Sequence, residues 1–140
     1  MTATHIALVR TSFELVRPIL EPAAVMFYDR LFELDPSLRS LFRNSREAQA
    51  QKLAQALTVV VKGLEQPAQL RGAVEALGRR HAGYGVRDEH YTTVGEALIW
   101  TLEQGLGEAF TPEVRNAWID AYGWLAFVMR EAAASATQAA

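Results

Sequence analysis

An all-α fold of crossed helices is what this 140-residue sequence predicts, and three observations predict it. Apolar residues recur three and four apart along nearly every segment, which is the period of a helix. No segment alternates strictly between apolar and polar residues as a half-buried strand does, and no internal repeat is present. Prolines and glycines interrupt the chain at unequal intervals, which favours crossed helices of different lengths over a regular up-down bundle. With 50% of residues hydrophobic and 21% charged, the composition is that of a soluble globular domain. A chain of this size buries roughly two thirds of its unfolded surface, enough for one core.

In order along the chain, His5 to Val16 places Ile6, Val9, Phe13 and Val16 on one helical face. Pro18 and Pro22 punctuate, and Pro22 suits the first turn of a second helix with Ala24, Phe27, Leu31 and Leu34 on its stripe. Asp35-Pro36 ends it, because the residue before proline is pushed out of the α region. A short turn, PSLRSLF, follows and ends at Phe42. Asn44 or Ser45 is the expected N-cap of a long helix from about Arg46 to Glu65, with Leu53, Leu57, Val60, Val61 and Leu64 inside. Pro67 starts the next, whose inner line is Leu70, Val74, Leu77 and then His81. Gly83-Tyr84-Gly85 breaks it. Asp88 is expected to cap a helix carrying Tyr91, Val94, Leu98 and Trp100/Leu102 inward, closed by Gly105 and Gly107. Thr111-Pro112-Glu113 opens the last, with Val114, Trp118, Leu125 and Val128/Met129 inside. One domain over residues 1–131 is expected, with an Ala/Ser-rich tail over 132–140 that frays or is disordered.

Cysteine is absent and the histidines are His5, His81 and His90. That removes disulfides, iron–sulfur clusters, thiolate zinc sites and cysteine nucleophiles. A di-iron bundle needs a Glu three residues before each histidine ligand, but Gly78 and Arg87 stand there. The formal charge of -2 and the lack of any basic run beyond Arg79–Arg80 predict no nucleic-acid partner. The N-terminus lacks the basic start and apolar core of a signal peptide, and no apolar stretch spans a bilayer. No membrane partner and a cytoplasmic location are expected.

His81 continues the apolar line of its helix. It reads either as a core histidine bonded to a neighbour or as a metal ligand. One imidazole without cysteines or clustered carboxylates holds zinc or copper poorly. It suffices for haem iron, because the porphyrin brings four nitrogens. Tyr28 lies on the inward side of its helix, and Gln49 falls on the line of Leu53 and Leu57. Each alone reads as an ordinary amphipathic residue reaching water; together they put two hydrogen-bond donors near one apolar cavity. Phe42 either plugs the core edge at its corner or packs on a flat cofactor. The glycine pairs around Tyr84 and Leu106 follow helices rather than strands, so they form no phosphate cradle.

The segments FYDRLFELDPSLRSLF (27–42) and LGRRHAGYGV (77–86), then Tyr91, Val94-Gly95-Glu96, Ala117-Trp118 and Tyr122-Gly123, resemble those of bacterial single-domain haemoglobins. They are similar to the globin domain of flavohaemoglobins over residues 5–130. The resemblance implies a globin fold and b-type haem (iron protoporphyrin IX), with His81 as the proximal iron ligand. It implies that Phe42 packs on the porphyrin and that Leu53, Leu57, Leu77, Val86 and Val94 line the pocket. Tyr28 and Gln49 become the distal pair, with Tyr28 donating to bound oxygen, and Arg80 a candidate for a haem propionate. Tyr91 matches a tyrosine that, in the family, works with a C-terminal-helix Glu on the proximal histidine. Here that acid position falls near Ala133, and the closest acid is Glu131.

The expected function is reversible, high-affinity binding of O2, with CO and NO as further small ligands. The alternative is nitric oxide dioxygenation, that is, nitric oxide detoxification. At 140 residues the sequence shows no reductase module, so that reaction needs a separate reductase. A sensor module ranks third. The expected state is a monomer or weak homodimer.

Overall fold

The computed structural model describes the chain from Met1 to Ala139, with side chains described to Ser135. Six α-helices make up the fold: α1 (Ala3–Val16), α2 (Leu20–Leu34), α3 (Arg46–Gly63), α4 (Pro67–Gly83), α5 (Asp88–Leu106) and α6 (Pro112–Ala139). Short 3₁₀ turns cover Arg17–Ile19, Pro36–Leu41 and Gly107–Ala109, and no strand occurs among the described residues. The helices pack in crossed pairs, α4 on α6, α2 on α5, α1 on α6 and α2 on α3.

Each boundary has a chemical cause. Thr2, Ser45 and Thr111 accept hydrogen bonds from the backbone N–H groups of His5, Ala48 and Val114 at 3.1, 3.1 and 3.2 Å. These bonds satisfy first-turn donors of α1, α3 and α6. Pro67 and Pro112 occupy first helical positions, where a missing N–H costs nothing. Asp35 ends α2 and its carboxylate accepts from Ser37 N–H, setting the turn that leads to Phe42. Gly107 closes α5 at φ 55°, a left-handed conformation that favours glycine.

Four boundaries or faces differ from expectation. Helix α2 starts at Leu20 rather than Pro22, because the preceding 3₁₀ turn runs straight into it. Arg87, not Asp88, is the N-cap of α5: its backbone N–H donates to His90 Nδ1 at 2.9 Å, and Asp88 is already helical. Leu34 sits beyond the core at 37% exposure, because α2 is ending there. The expected tail begins as helix: α6 continues through Ala139 with Ala132 buried. Ala140 lies outside the described residues.

The buried side chains form two clusters. The larger gathers Phe13, Val74, Leu102, Trp118, Val128 and others from all six helices, α2 contributing Ala23. The smaller gathers Phe27, Tyr28, Leu31, Leu38 and Ala97. Inside the larger, Trp118 Nε1 donates to Ser12 Oγ at 2.8 Å, which in turn donates to the Leu8 carbonyl. The indole N–H is thereby satisfied in a dry interior. No helix among the described residues is long and apolar enough to cross a membrane.

Candidate functional site

Three helices carry the site's polar groups, α4 with His81, α2 with Tyr28 and α3 with Gln49, and each is fixed by its neighbours. On α4, Gly78 precedes His81 by one turn and lets the helix approach α6 closely. A Cβ at Gly78 would lie 2.4 Å from the Met129 carbonyl oxygen and 2.6 Å from its Cα, distances no side chain tolerates. Gly95 on α5 is similarly tight, with a Cβ position 2.9 Å from the Tyr122 ring. The Tyr122 hydroxyl donates to the Tyr91 carbonyl at 2.6 Å, tying α6 to the first turns of α5. His81 therefore rests on a scaffold held by backbone contact.

The His81 ring is defined chemically as well as spatially. Its Nδ1 lies 2.8 Å from the Leu77 carbonyl, an acceptor, so Nδ1 carries the proton and Nε2 keeps its lone pair. Burial lowers the His81 pKa below its ordinary value, with nearby Arg80 adding to this and the Leu77 bond opposing it. The ring is neutral near pH 7, the form that ligates a metal.

Opposite in chemistry, Tyr28 on α2 is buried among aromatic edges, Phe27 at 5.0 Å and Phe42 at 5.4 Å between ring centroids. Its hydroxyl has no hydrogen-bond partner among the described residues, and burial pushes its pKa up to about 12. A cavity of about 370 Å³ brings together Tyr28, Phe32, Phe42 and Gln49, with Arg39 and Arg46 at its rim. Gln49 is held in the first turns of α3, its N–H donating to the Ser45 carbonyl at 3.0 Å. Arg46 donates to Asp29 at 2.7 Å, clamping the start of α3 to α2 beside Tyr28.

The remaining candidates fall in distinct places. Leu57, Leu77 and Val86 pack half-buried against the larger cluster, and Phe42, Leu53 and Val94 against the smaller. Leu98 touches both. Large apolar side chains left half-exposed beside a close-packed interior are the lining an apolar ligand needs. Arg80 is exposed and makes no ion pair among the described residues. His81 is not in the wall of the Tyr28–Gln49 cavity; it belongs to α4 on the larger cluster's side.

Tyr91 is buried, and its pKa is raised by that burial and by Asp88, with Arg130 opposing. Glu131 does not turn toward it. The Glu131 carboxylate faces Arg71 at 3.9 Å with its side chain 59% exposed, because its position on α6 points along the outer side of α4. The Phe32 wall and the Gly78 approach are residues sequence reasoning passed over. Phe32 stands one turn after Tyr28 and was legible from that spacing; Gly78 carried no such signal.

These residues fit haem. They offer one neutral imidazole with a free Nε2, an apolar half-buried lining and a hydroxyl donor without a protein partner. No group of three or more His, Asp or Glu side chains able to hold a bare metal occurs among the described residues. The globin family model matches residues 25–129. A flavohemoprotein of Rhodopirellula baltica is 34% identical over 139 residues, covering 96% of this chain but 34% of that protein. That of Bordetella pertussis is 36% identical over 123 residues, covering 86% and 31%. The chain thus spans about a third of the length of these relatives. Among solved structures, an engineered carbene transferase from Rhodothermus marinus, whose parent bears a provisional nitric oxide dioxygenase name, superposes with a TM-score of 0.84. It is 30% identical and covers 99% of this chain and 97% of its own. A hexacoordinated haem protein from a tardigrade, 18% identical with a TM-score of 0.85 over 95% of both chains, shares the fold. Family model, relatives and fold agree: this chain belongs to the globin family.

Proposed function

We propose that this chain is a haem b globin that binds O2 reversibly and with high affinity, and binds CO and NO as well. In this reading His81 would ligate the haem iron and Tyr28 and Gln49 would form the distal pair. The observation that carries it is the Tyr28 hydroxyl, which lacks a protein partner on the wall of the cavity it shares with Gln49 and Phe42. Haem, when bound, supplies four porphyrin nitrogens and an iron that takes a diatomic ligand.

The chain's own residues then act in simple ways. Leu77 fixes the His81 proton on Nδ1 and leaves Nε2 to ligate. With its pKa near 12, Tyr28 keeps its proton at physiological pH and donates it toward a ligand in the cavity. Phe27, Phe32 and Phe42 pack around the Tyr28 ring, and the low polarity they give its surroundings makes that hydrogen bond stronger than it would be in bulk water. A bond worth about 1.4 kcal/mol changes affinity about tenfold, chiefly through slower dissociation.

The test combines absorption spectra with O2 dissociation rates. A Soret band after haem loading, its loss or displacement in His81→Ala, and O2 release about tenfold faster in Tyr28→Phe are expected. No Soret band, normal axial ligation in His81→Ala, or equal release rates would overturn the proposal.

Nitric oxide dioxygenation is the second reading, favoured by the flavohemoprotein relatives and by the Rhodothermus marinus neighbour's parent name. It joins NO and O2 with one electron to give nitrate, the electron coming from a separate reductase. Repeated nitrate formation on adding NO to the O2-loaded protein with a reductase supports it; a single stoichiometric oxidation does not.

A further inference from the structure

The surface charge is polarised along the length of the fold. Arg39, Arg43, Arg79 and Arg80 are exposed and form no ion pair among the described residues. They share one end of the molecule. The loop after α4 lies against the 3₁₀ turn that carries Arg39, since a Cβ at Gly85 would sit 3.5 Å from Leu41 Cδ2. Arg79 and Arg80 stand in the last turns of α4, which feeds that loop. The acids at this end are already engaged: Asp29 and Glu47 with Arg46, Asp88 with Arg130, Glu89 with Arg87, and Asp35 with Ser37.

The opposite end is acidic on balance, although Lys62 and Arg115 also stand there without an ion pair among the described residues. Glu21, Glu103, Glu108 and Glu113 are exposed and form no ion pair among the described residues. The Ile19 side chain, beside Glu21, reaches within 3.7 Å of the Cβ position of Gly105, which joins the start of α2 to the end of α5. Helix α5 separates the two ends by about 27 Å at 1.5 Å per residue. A chain with formal charge -2 therefore presents a positive face, and that face reaches the Tyr28–Gln49 cavity through Arg39, which lines it together with the paired Arg46 and Glu47.

We propose that this arginine end docks a one-electron-donor protein with a carboxylate-rich face, an inference that rests on the haem reading. The step it serves is simple in balance. The reduced donor loses one electron and ferric haem iron gains it to become ferrous; no bond forms or breaks. Like-charge repulsion between acidic partners would slow encounter of a net-negative globin, and a local positive face at the redox site reverses that.

Small redox reagents of opposite charge test the face directly. In anaerobic stopped-flow, hexacyanoferrate(III) and hexaammineruthenium(III) each oxidise the ferrous protein by one electron across a salt series. Oxidation by the anion is expected to fall roughly fivefold from low to physiological salt, as the face is screened, and oxidation by the cation to rise. Arg43→Glu/Arg79→Glu should reverse both trends. Lys62→Glu/Arg115→Glu, which alters net charge equally but lies at the other end, should keep them. If the wild-type anion rate rises with salt, as net charge alone dictates, or if the two double variants behave alike, the proposal is overturned. A protein that takes up no haem overturns the haem reading instead. The face is then read separately by hexacyanochromate(III), a redox-inert anion, on the protein as purified. Selective broadening of amide signals around Arg43 and Arg79 supports the face; uniform broadening overturns it.

Discussion

On the His81 side of the site, α4 lies so near α6 that a Cβ at Gly78 would meet the Met129 backbone at 2.4 Å. On the Tyr28 side the contacts are between side chains: rings of α2 and of Phe42 in the following turn pack at 5.0 to 6.1 Å, and one ion pair whose members are about half exposed joins α2 to α3. Backbone-to-backbone contact cannot relax without moving a helix, whereas rotamers and surface charges adjust locally. The His81 side is thus rigid in its construction, and the Tyr28 side is adaptable. The proposed function would use that division, since a ligating imidazole has to stay fixed while a cavity for diatomic ligands has to admit and release them.

The largest break in this comparison comes from Gly78→Ala. The added methyl meets backbone atoms rather than the end of a flexible side chain, so α4 and α6 have to separate. A loss of about 3 kcal/mol in urea unfolding is expected, with weaker haem retention. Gly72→Ala on the same helix is the matched control, because nothing lies within 4 Å of its Cβ position. That change should stabilise by up to about 1 kcal/mol through helix propensity alone. Equal effects at the two positions would show that close approach does not set the rigidity of this side.

The difference between the sides also explains what was legible beforehand. Helical period and capping chemistry read correctly where the signal is local, as at Ser45, Thr111 and the Asp35-Pro36 corner. Tyr28 and Gln49 could be grouped because each shows its face by spacing, and the structure sets both on one cavity wall with Phe42, whose corner position had left its role open. Periodicity names a face and says nothing of its partner. The role of Gly78 has no local signal, since its contact is 51 residues away at Met129. Glu131 was the nearest acid in sequence to the expected position, yet its place on the helical wheel turns it to Arg71. The cap of α5 was misplaced by one residue because a histidine three positions on, not an aspartate, engages the free N–H.

A smaller effect should appear with pH on the Tyr28 side. Burial raises the Tyr28 pKa from 10.0 to about 12, and burial also raises that of Tyr122. In the unfolded chain these phenols ionise near pH 10, while in the folded protein they stay neutral to higher pH. The unfolded state thus binds fewer protons in that window, and stability falls as pH rises through it. The stability is fully present below pH 10. Urea unfolding at pH 8, 10 and 11.5 should show the loss beginning only above pH 10, with a Tyr28 share of up to about 2 kcal/mol. Tyr28→Phe should lose less over the same range. In the proposed function the retained proton also keeps O2 release constant up to pH 10. Release that already quickens between about pH 9 and 10 would mean an ordinary, solvated phenol.

The smallest effect is expected at the clamp between α2 and α3. Arg46 and Asp29 are 2.7 Å apart, but their side chains are 48% and 46% exposed, and Arg46 has a second acid in Glu47 at 3.5 Å. Exposed pairs of this kind contribute under about 1 kcal/mol and are screened by salt. Asp29→Ala should therefore change urea stability by less than about 1 kcal/mol, and by still less at high salt. Its other effect falls on position, because Arg46 opens the helix that carries Gln49 one turn later. Loosening that turn should alter O2 release by less than about threefold, mainly through Gln49, while leaving the absorption spectrum that reports His81 ligation unchanged. A loss comparable with that of Gly78→Ala would mean that the Tyr28 side is held as firmly as the His81 side, and that adaptability there resides in ring rotations of Phe32 and Phe42 alone.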